Sequence, residues 1–289
     1  FEAMGLSRTM LAAIEMAGFE EPSPIQAALI PVAMSGVDCI GQAHTGTGKT
    51  AAFTIPILEA LDFKTRRPLA LIMVPTRELS EQVAEEARKL AVNRKDVGVV
   101  SIVGGKSMHD QTTLLKKGAQ ILVGTPGRVL DMLGRGHFDP QTLEYVVLDE
   151  ADRMLDIGFR PDIEKILKRC PNDRQTMLLS ATLPPPVEKL AKRYMCEPQM
   201  IDLSKDEVSS NGIMQYYVTV DQDRKLQTLV RLLAQERPQQ ALVFTRTKRG
   251  ADLLHMKFRK RLSSVETLHG DLPQTKRDKV MQRFRSGET

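Results

Sequence analysis

The chain has 289 residues, 42% hydrophobic and 27% charged, with a formal net charge of +5. That composition is ordinary for a globular protein and excludes bulk disorder, and the length suggests two domains. The charge is uneven: residues 204–289 carry 17 Lys/Arg against 10 Asp/Glu, whereas residues 1–203 carry 24 against 26. A basic final third suits a polyanionic partner, or simply a solvated basic helix face.

In chain order, 37–41 reads as a strand and 49–61 as the helix after it. Residues 69–74 are aliphatic, and 77–91 has helical periodicity with strong helix formers. Further strands are expected at 97–103, 120–123, 145–148 and 175–179, each followed by a helix-compatible stretch. Continuous aliphatic runs suit strands covered on both faces, as in a parallel sheet with crossover helices. This repetition over about 200 residues predicts a doubly wound α/β domain. Residues 200–203 end the pattern. The polar stretch 204–212 (SKDEVSSNG) is the linker candidate. The α/β rhythm then restarts, with strands expected at 214–220, 241–245 and 265–268 and helices at 225–235, 249–261 and 273–284. The expected domains are 1–203 and a partial one at 213–289. No apolar run reaches the roughly 18–20 residues of a spanning helix, and no signal pattern opens the chain. Cys39, Cys170 and Cys196 lie far apart, as expected of reduced cytoplasmic thiols and not of a disulfide frame or zinc site. The chain begins at Phe1, so its start is processed or it is a fragment.

Ala43-His44-Thr45-Gly46-Thr47-Gly48-Lys49-Thr50 falls between an expected strand and helix, the setting of a phosphate-binding loop. Glycines let backbone N–H groups turn inward around phosphate oxygens, and the helix N-terminus adds its positive end. Lys49 can reach β- and γ-phosphates, and the Thr50 hydroxyl can ligate Mg²⁺. The strict pattern has Gly where Ala43 stands. Asp149-Glu150-Ala151-Asp152 follows the strand 145–148, at the end of a parallel strand where ligand crevices lie. Asp149 is placed to hold Mg²⁺ and Glu150 to orient and deprotonate an attacking water. The alternative is an acidic turn capping the next helix, which the upstream loop makes the weaker reading.

Residues 149–152 spell DEAD, and the chain resembles the DEAD-box RNA helicase family of superfamily 2, with motifs in the family's order. Gly18-Phe19-Glu20-Glu21-Pro22-Ser23-Pro24-Ile25-Gln26 looks like its Q motif, and Phe1 stands where the family has an isolated aromatic. Pro75-Thr76-Arg77-Glu78-Leu79, Gly104-Gly105 and Thr125-Pro126-Gly127-Arg128 look like its RNA-contacting motifs. Ser180-Ala181-Thr182 is similar to motif III, Leu242-Val243-Phe244-Thr245-Arg246-Thr247 to motif IV, and Gln274-Thr275-Lys276-Arg277 to the Q-x-x-R motif. The family normally has Ala at the position of Ala43.

The resemblance implies two RecA-like domains that bind ATP, Mg²⁺ and RNA, hydrolyse ATP and open short duplexes locally. It implies ATP contacts from Phe1, Phe19, Gln26 and residues 43–50. Gln26 carries donors and an acceptor that can read the adenine edge. Phe1 either stacks on the base or is a disordered terminus, and Phe19 packs to aim the loop. RNA contacts are implied for Pro75, Thr76, Arg77, Gly104, Gly105, Thr125, Pro126, Gly127, Arg128, Arg160, Thr245, Arg246, His269, Gly270, Gln274 and Arg277. Thr76 and Thr125 also read as helix N-caps, and both roles are compatible because a helix N-terminus is itself a phosphate site. Ser180 and Thr182 read as caps before the prolines, or as the coupling segment the family has there. Aromatics make up only 4% of the chain, without Trp, so backbone tracking with little sequence preference is expected over base stacking. Family motifs V and VI, with an arginine finger, are expected after 289. The 289-residue chain is therefore expected to bind ATP–Mg²⁺ but turn over poorly, as a cytoplasmic monomer, with 213–289 only marginally stable. The competing reading is an ATP-gated RNA clamp that does not unwind.

Overall fold

The aliphatic runs of the first unit become strands of one fully parallel sheet. The computed structural model describes residues 1–62, 64–94, 96–204, 214–260, 262 and 264–289, and the chain divides into two compact units, Phe1–Val208 and Ser209–Thr289. The strands are β1 (Cys39–Gln42), β2 (Ala70–Met73), β3 (Val99–Ile102), β4 (Ile121–Gly124), β5 (Tyr145–Leu148), β6 (Gln175–Ser180) and β7 (Gln199–Asp202). Their order across the sheet is β3-β4-β2-β5-β6-β1-β7. The helices of this unit are α1 (Arg8–Met16), α2 (Pro24–Met34), α3 (Lys49–Ala60), α4 (Arg77–Leu90), α5 (Met108–Lys116), α6 (Pro126–Gly134), α7 (Ala151–Asp156), α8 (Arg160–Leu167) and α9 (Pro185–Tyr194).

Alternation along each strand divides the core into two layers. Ala70, Ile72, Val147, Met177 and Leu179 pack with α1–α4. Leu71, Met73, Val146, Leu148 and Leu178 pack with α5–α9. A sheet covered on both faces needs apolar residues at every strand position, and β2, β4 and β6 are buried throughout. The doubly wound α/β expectation thus holds for this unit. Residues 200–203 do not simply end the pattern, because β7 adds a seventh strand beside β1.

One buried carboxylate ties the amino ends of three strands together. Asp38, 6% exposed, accepts N–H bonds from Thr176 at 2.6 Å and Cys196 at 2.7 Å. Its carbonyl accepts from Gln199 N at 2.8 Å. It therefore holds β6 and the lead-in to β7 against β1.

The second unit has helices α10 (Lys225–Glu236), α11 (Lys248–Arg259) and α12 (Gln274–Arg285), close to the expected spans. The strands expected at 214–220, 241–245 and 265–268 are not formed among the described residues. Leu242 is 67% and Phe244 90% exposed. A strand exists only through a partner, and in the first unit consecutive β1 and β2 are separated by two inserted strands. Three successive apolar segments need not be ladder neighbours either. The linker expected at 204–212 lies, apart from Ser204, outside the described residues.

Asp38→Ala leaves the buried Thr176 N–H and the part-buried Cys196 N–H without their side-chain acceptor, at about 1–3 kcal/mol for the first and less for the second. Urea denaturation should show an unfolding free energy lower by about 2–4 kcal/mol.

Candidate functional site

Three loops leave the carboxyl ends of the adjacent strands β1, β6 and β5 side by side. The loop after β1 turns through Gly46 and Gly48, both at positive φ (84° and 87°), and Gly48 is the N-cap of α3. Its first residue is tied to β6 by Ala43 N donating to Ser180 O at 3.1 Å. His44, Thr45 and Gly46 are exposed, Thr47, Gly48 and Thr50 half-buried. Thr47 Oγ1 donates to His44 O at 2.9 Å. Lys49 is 6% exposed and its ammonium donates to Ala43 O at 3.0 Å. A lysine ammonium has three donors, so this bond leaves capacity for an anion in the loop.

Gln26 reaches this loop from α2. Its Oε1 accepts from Ser23 N at 2.9 Å and its Nε2 donates to Gly48 O at 3.1 Å. The first bond is half of a capping box. A Cβ at Gly48 would displace Nε2, and the positive φ there favours glycine in any case. The amide keeps one N–H and one lone pair for a ligand. Phe1 and Phe19 meet edge to face, ring centroids 6.3 Å apart, and both pack against the core. Phe1 is thus half-buried, in contact with Phe19 of the segment that leads into α2.

After β5 comes Asp149, 4% exposed. Burial pushes its carboxyl up to about 6, opposed by the charge of Lys49 and reinforced by that of Glu150. Glu150 has a left-handed backbone, φ 52°, as N-cap of α7, a strained conformation for a non-glycine residue. Asp152 joins the third loop: Thr182 donates to its Oδ2 through N at 2.9 Å and Oγ1 at 2.7 Å. In return Asp152 N donates to Ser180 Oγ at 3.1 Å. Ser180 and Thr182 are therefore tied to the acidic box, and neither caps α9, whose N-cap is Pro184.

A second group of side chains surrounds Gly104–Gly105. Pro75 is buried at the end of β2, and Thr76 caps α4, accepting from Leu79 N at 3.2 Å. Arg77 lays its guanidinium over the two glycines, where a Cβ on Gly105 would overlap Nη1 and one on Gly104 would lie 3.2 Å from Nη2. Arg128 Nη2 donates to Lys106 O at 3.3 Å. Thr125 occupies the N-cap of α6 and Pro126 its first turn, although the Thr125 side chain makes no capping bond. Gly127 is exposed. Arg160 opens α8 and pairs with Glu164 at 2.9 Å.

Sequence reasoning passed over Gln111. It is 4% exposed, accepts from Val103 N at 2.9 Å, and donates to Val103 O at 3.1 Å and Ser107 O at 3.2 Å. One amide thus clamps the backbone on both sides of the glycine pair. Only its helical position relative to the turn could have signalled this.

In the second unit Lys248 Nζ and Asp271 join the loops that carry Thr245–Arg246 and His269–Gly270. His269 Nε2 meets Asp252 Oδ1 at 3.0 Å, and Arg277 donates to Gln274 Oε1 at 3.3 Å. Thr245, Arg246 and Gly270 are exposed, and Gln274 is buried.

A DEAD/DEAH box helicase model matches residues 23–190. The chain belongs to the DEAD-box helicase family. A helicase conserved C-terminal domain model matches 224–289. The chain is 45% identical over 287 residues to DEAD-box ATP-dependent RNA helicase CshA of Geobacillus kaustophilus, covering 99% of this chain and 61% of that protein. It is 44% identical over 288 residues to ATP-dependent RNA helicase CshA of Listeria monocytogenes, covering 100% and 55%. The chain therefore spans between about half and three-fifths of these relatives. Among solved structures, Saccharomyces cerevisiae Dbp5 bound to RNA and ADP BeF3 is 31% identical, with TM-score 0.91 over all of this chain and 74% of that one. A DEAD box protein from Methanococcus jannaschii is 39% identical, with TM-score 0.68 over 99% and 77%.

The raised Asp149 carboxyl sets a pH dependence. The folded chain holds a proton up to about pH 6 that the unfolded chain gives up near 3.8. Stability therefore falls as pH rises through that window. Asp149→Asn removes this loss, so without metal at pH 8 it should unfold about 1–3 kcal/mol later than the parent chain, with the gain gone below pH 4. Parallel urea titrations in EDTA check it. Gln111→Leu should lower stability by about 1–3 kcal/mol and speed amide exchange at Val103, read by mass spectrometry.

Proposed function

We propose that this chain is the ATP- and RNA-handling part of an ATP-dependent RNA helicase that opens short duplexes locally. The observation that carries this reading is the adjacency of three strand ends: Lys49, Asp149 and the Ser180–Thr182–Asp152 bonds lie on neighbouring loops. The loop 43–48 wraps phosphates with its N–H groups and Lys49 neutralises them. Gln26 uses its spare N–H and lone pair on the adenine, which favours ATP over GTP. Phe1, set against Phe19, flanks the base. Glu150 orients and deprotonates the attacking water. Ser180 and Thr182, bonded to Asp152, report the nucleotide state to the rest of the chain.

The residues present suit Mg²⁺. Among the described residues no group of three His, Cys, Asp or Glu could hold a metal alone. Mg²⁺ asks for less, one or two oxygen ligands beside substrate phosphates and water. Asp149 and Thr50 supply a carboxylate and a hydroxyl, and a dication offsets the desolvation that Asp149 now bears. When bound, the ion neutralises charge on the β- and γ-phosphates.

RNA follows the second group: Pro75–Arg77, Gly104–Gly105, Thr125–Arg128 and Arg160 in the first unit, with Thr245, Arg246, His269, Gly270, Gln274 and Arg277 in the second. Their cations, small residues and helix N-termini suit backbone phosphates and leave base identity largely unread. Three free thiols accord with a reducing cytoplasmic setting. No described helix is long and apolar enough to cross a membrane.

The 289 residues contain no His-Arg-x-Gly-Arg run, and an arginine finger is worth roughly 10³–10⁵ in rate. These residues alone should bind ATP–Mg²⁺ yet release phosphate slowly even with RNA. A phosphate-release assay with and without single-stranded RNA tests this. Strong RNA stimulation of these 289 residues contradicts the slow-turnover part of the reading.

A further inference from the structure

Lys106 directly follows Gly104–Gly105 and sits where three other elements converge. Arg77 of α4 covers the glycine pair, Arg128 of α6 bonds the Lys106 carbonyl, and Gln111 of α5 fixes the backbone on either side. Arg128 Nη1 also reaches Met108 Sδ at 3.7 Å. The segment 104–108 is thus a held platform carrying cations from two helices. The Lys106 side chain is itself held: its ammonium donates to Glu81 Oε1 at 2.8 Å, with both side chains 40% exposed. Glu81 lies four residues after Arg77, so both project from the same face of α4. Burial opposes ionisation of Glu81, but bonds from Lys106 and Ser101 outweigh it and keep the carboxyl below its ordinary value.

An exposed pair of this kind contributes only about 0–1 kcal/mol to stability. Its effect is geometric. A free lysine sweeps a wide arc on a four-carbon stem, whereas this ammonium is held on Glu81, one turn along α4 from Arg77. Glu81 occupies one of its three donors, which leaves two for another oxygen ligand.

We propose that Lys106 is a further contact to a nucleic-acid phosphate, and that Glu81 is the positioning residue that holds its ammonium at the RNA surface. This rests on the reading of Arg77, Gly104–Gly105 and Arg128 as that surface. Glu81 also brings a negative charge close to the phosphate, so it positions Lys106 at some cost in attraction.

Neutralising one phosphate contributes about 0.7 to the slope of log affinity against log salt for a single strand. Between 1 M and 0.1 M salt that is about a fivefold difference in affinity. Fluorescence anisotropy with a labelled single-stranded RNA and a non-hydrolysed ATP analogue, from 0.05 to 0.5 M KCl, measures this. Lys106→Gln should weaken binding about fivefold at 0.1 M and flatten the slope by about 0.7, with nucleotide affinity unchanged. Lys106→Arg should restore the slope. In a Glu81→Gln background, Lys106→Gln should change the slope by clearly less than about 0.7, because the ammonium is no longer held. Arg128→Gln separates the two levels of the argument. If it weakens RNA binding while Lys106→Gln keeps parental affinity and slope, the Lys106 assignment is wrong and the surface stands. If neither variant changes binding, the RNA surface itself is misplaced. A full slope change of about 0.7 from Lys106→Gln in the Glu81→Gln background would overturn the positioning role of Glu81.

Discussion

The site depends on β6 lying between β1 and β5. Parallel strands sit about 4.8 Å apart, so this insertion sets the phosphate loop and the acidic box about two strand spacings from each other, with a third loop in between. Ala43 is bonded to Ser180 O, and Asp152 is bonded to Ser180 and Thr182. Neither the phosphate loop nor the acidic box can move far without changing the bonds of 180–182. A parallel sheet makes this possible because every strand delivers its carboxyl end to the same edge.

That edge is expensive to maintain. Asp149 and Lys49 are almost fully buried, Asp149 with a carboxyl displaced toward neutrality, and Glu150 adopts a left-handed backbone. Each costs stability that the apolar layers on both faces of the sheet offset. Costs of this kind concentrate where ligands bind. By contrast Asp38, at the opposite ends of the strands, is buried with its bonds to Thr176 and Cys196 made, and serves only to hold the sheet.

The strands of the first unit were legible because two-sided burial demands uninterrupted aliphatic runs, and the turn from β1 into α3 because Gly46 and Gly48 supply its positive φ angles. β7 was less so: its pattern is mostly exposed and carries no such run. Gln111 and Glu81 were hidden for another reason, since an amide or a carboxylate on an amphipathic helix looks like a solvated residue until its partners are placed. The apolar segments of the second unit looked like strands, but strand formation depends on partners that a local pattern does not specify. Net charge carries little information about these two groups of residues. The basic excess lies in 204–289, while the residues gathered around the phosphate loop and the glycine pair belong to the slightly acidic first unit.

The central claim is that the ends of β1, β6 and β5 make one ATP–Mg²⁺ site. Equilibrium titration of a fluorescent ATP analogue, competed with ATP and GTP, tests it most directly. The account predicts one saturable, Mg²⁺-dependent site that prefers ATP to GTP and is lost in a folded Lys49→Ala variant. Undiminished ATP binding by that variant would contradict it.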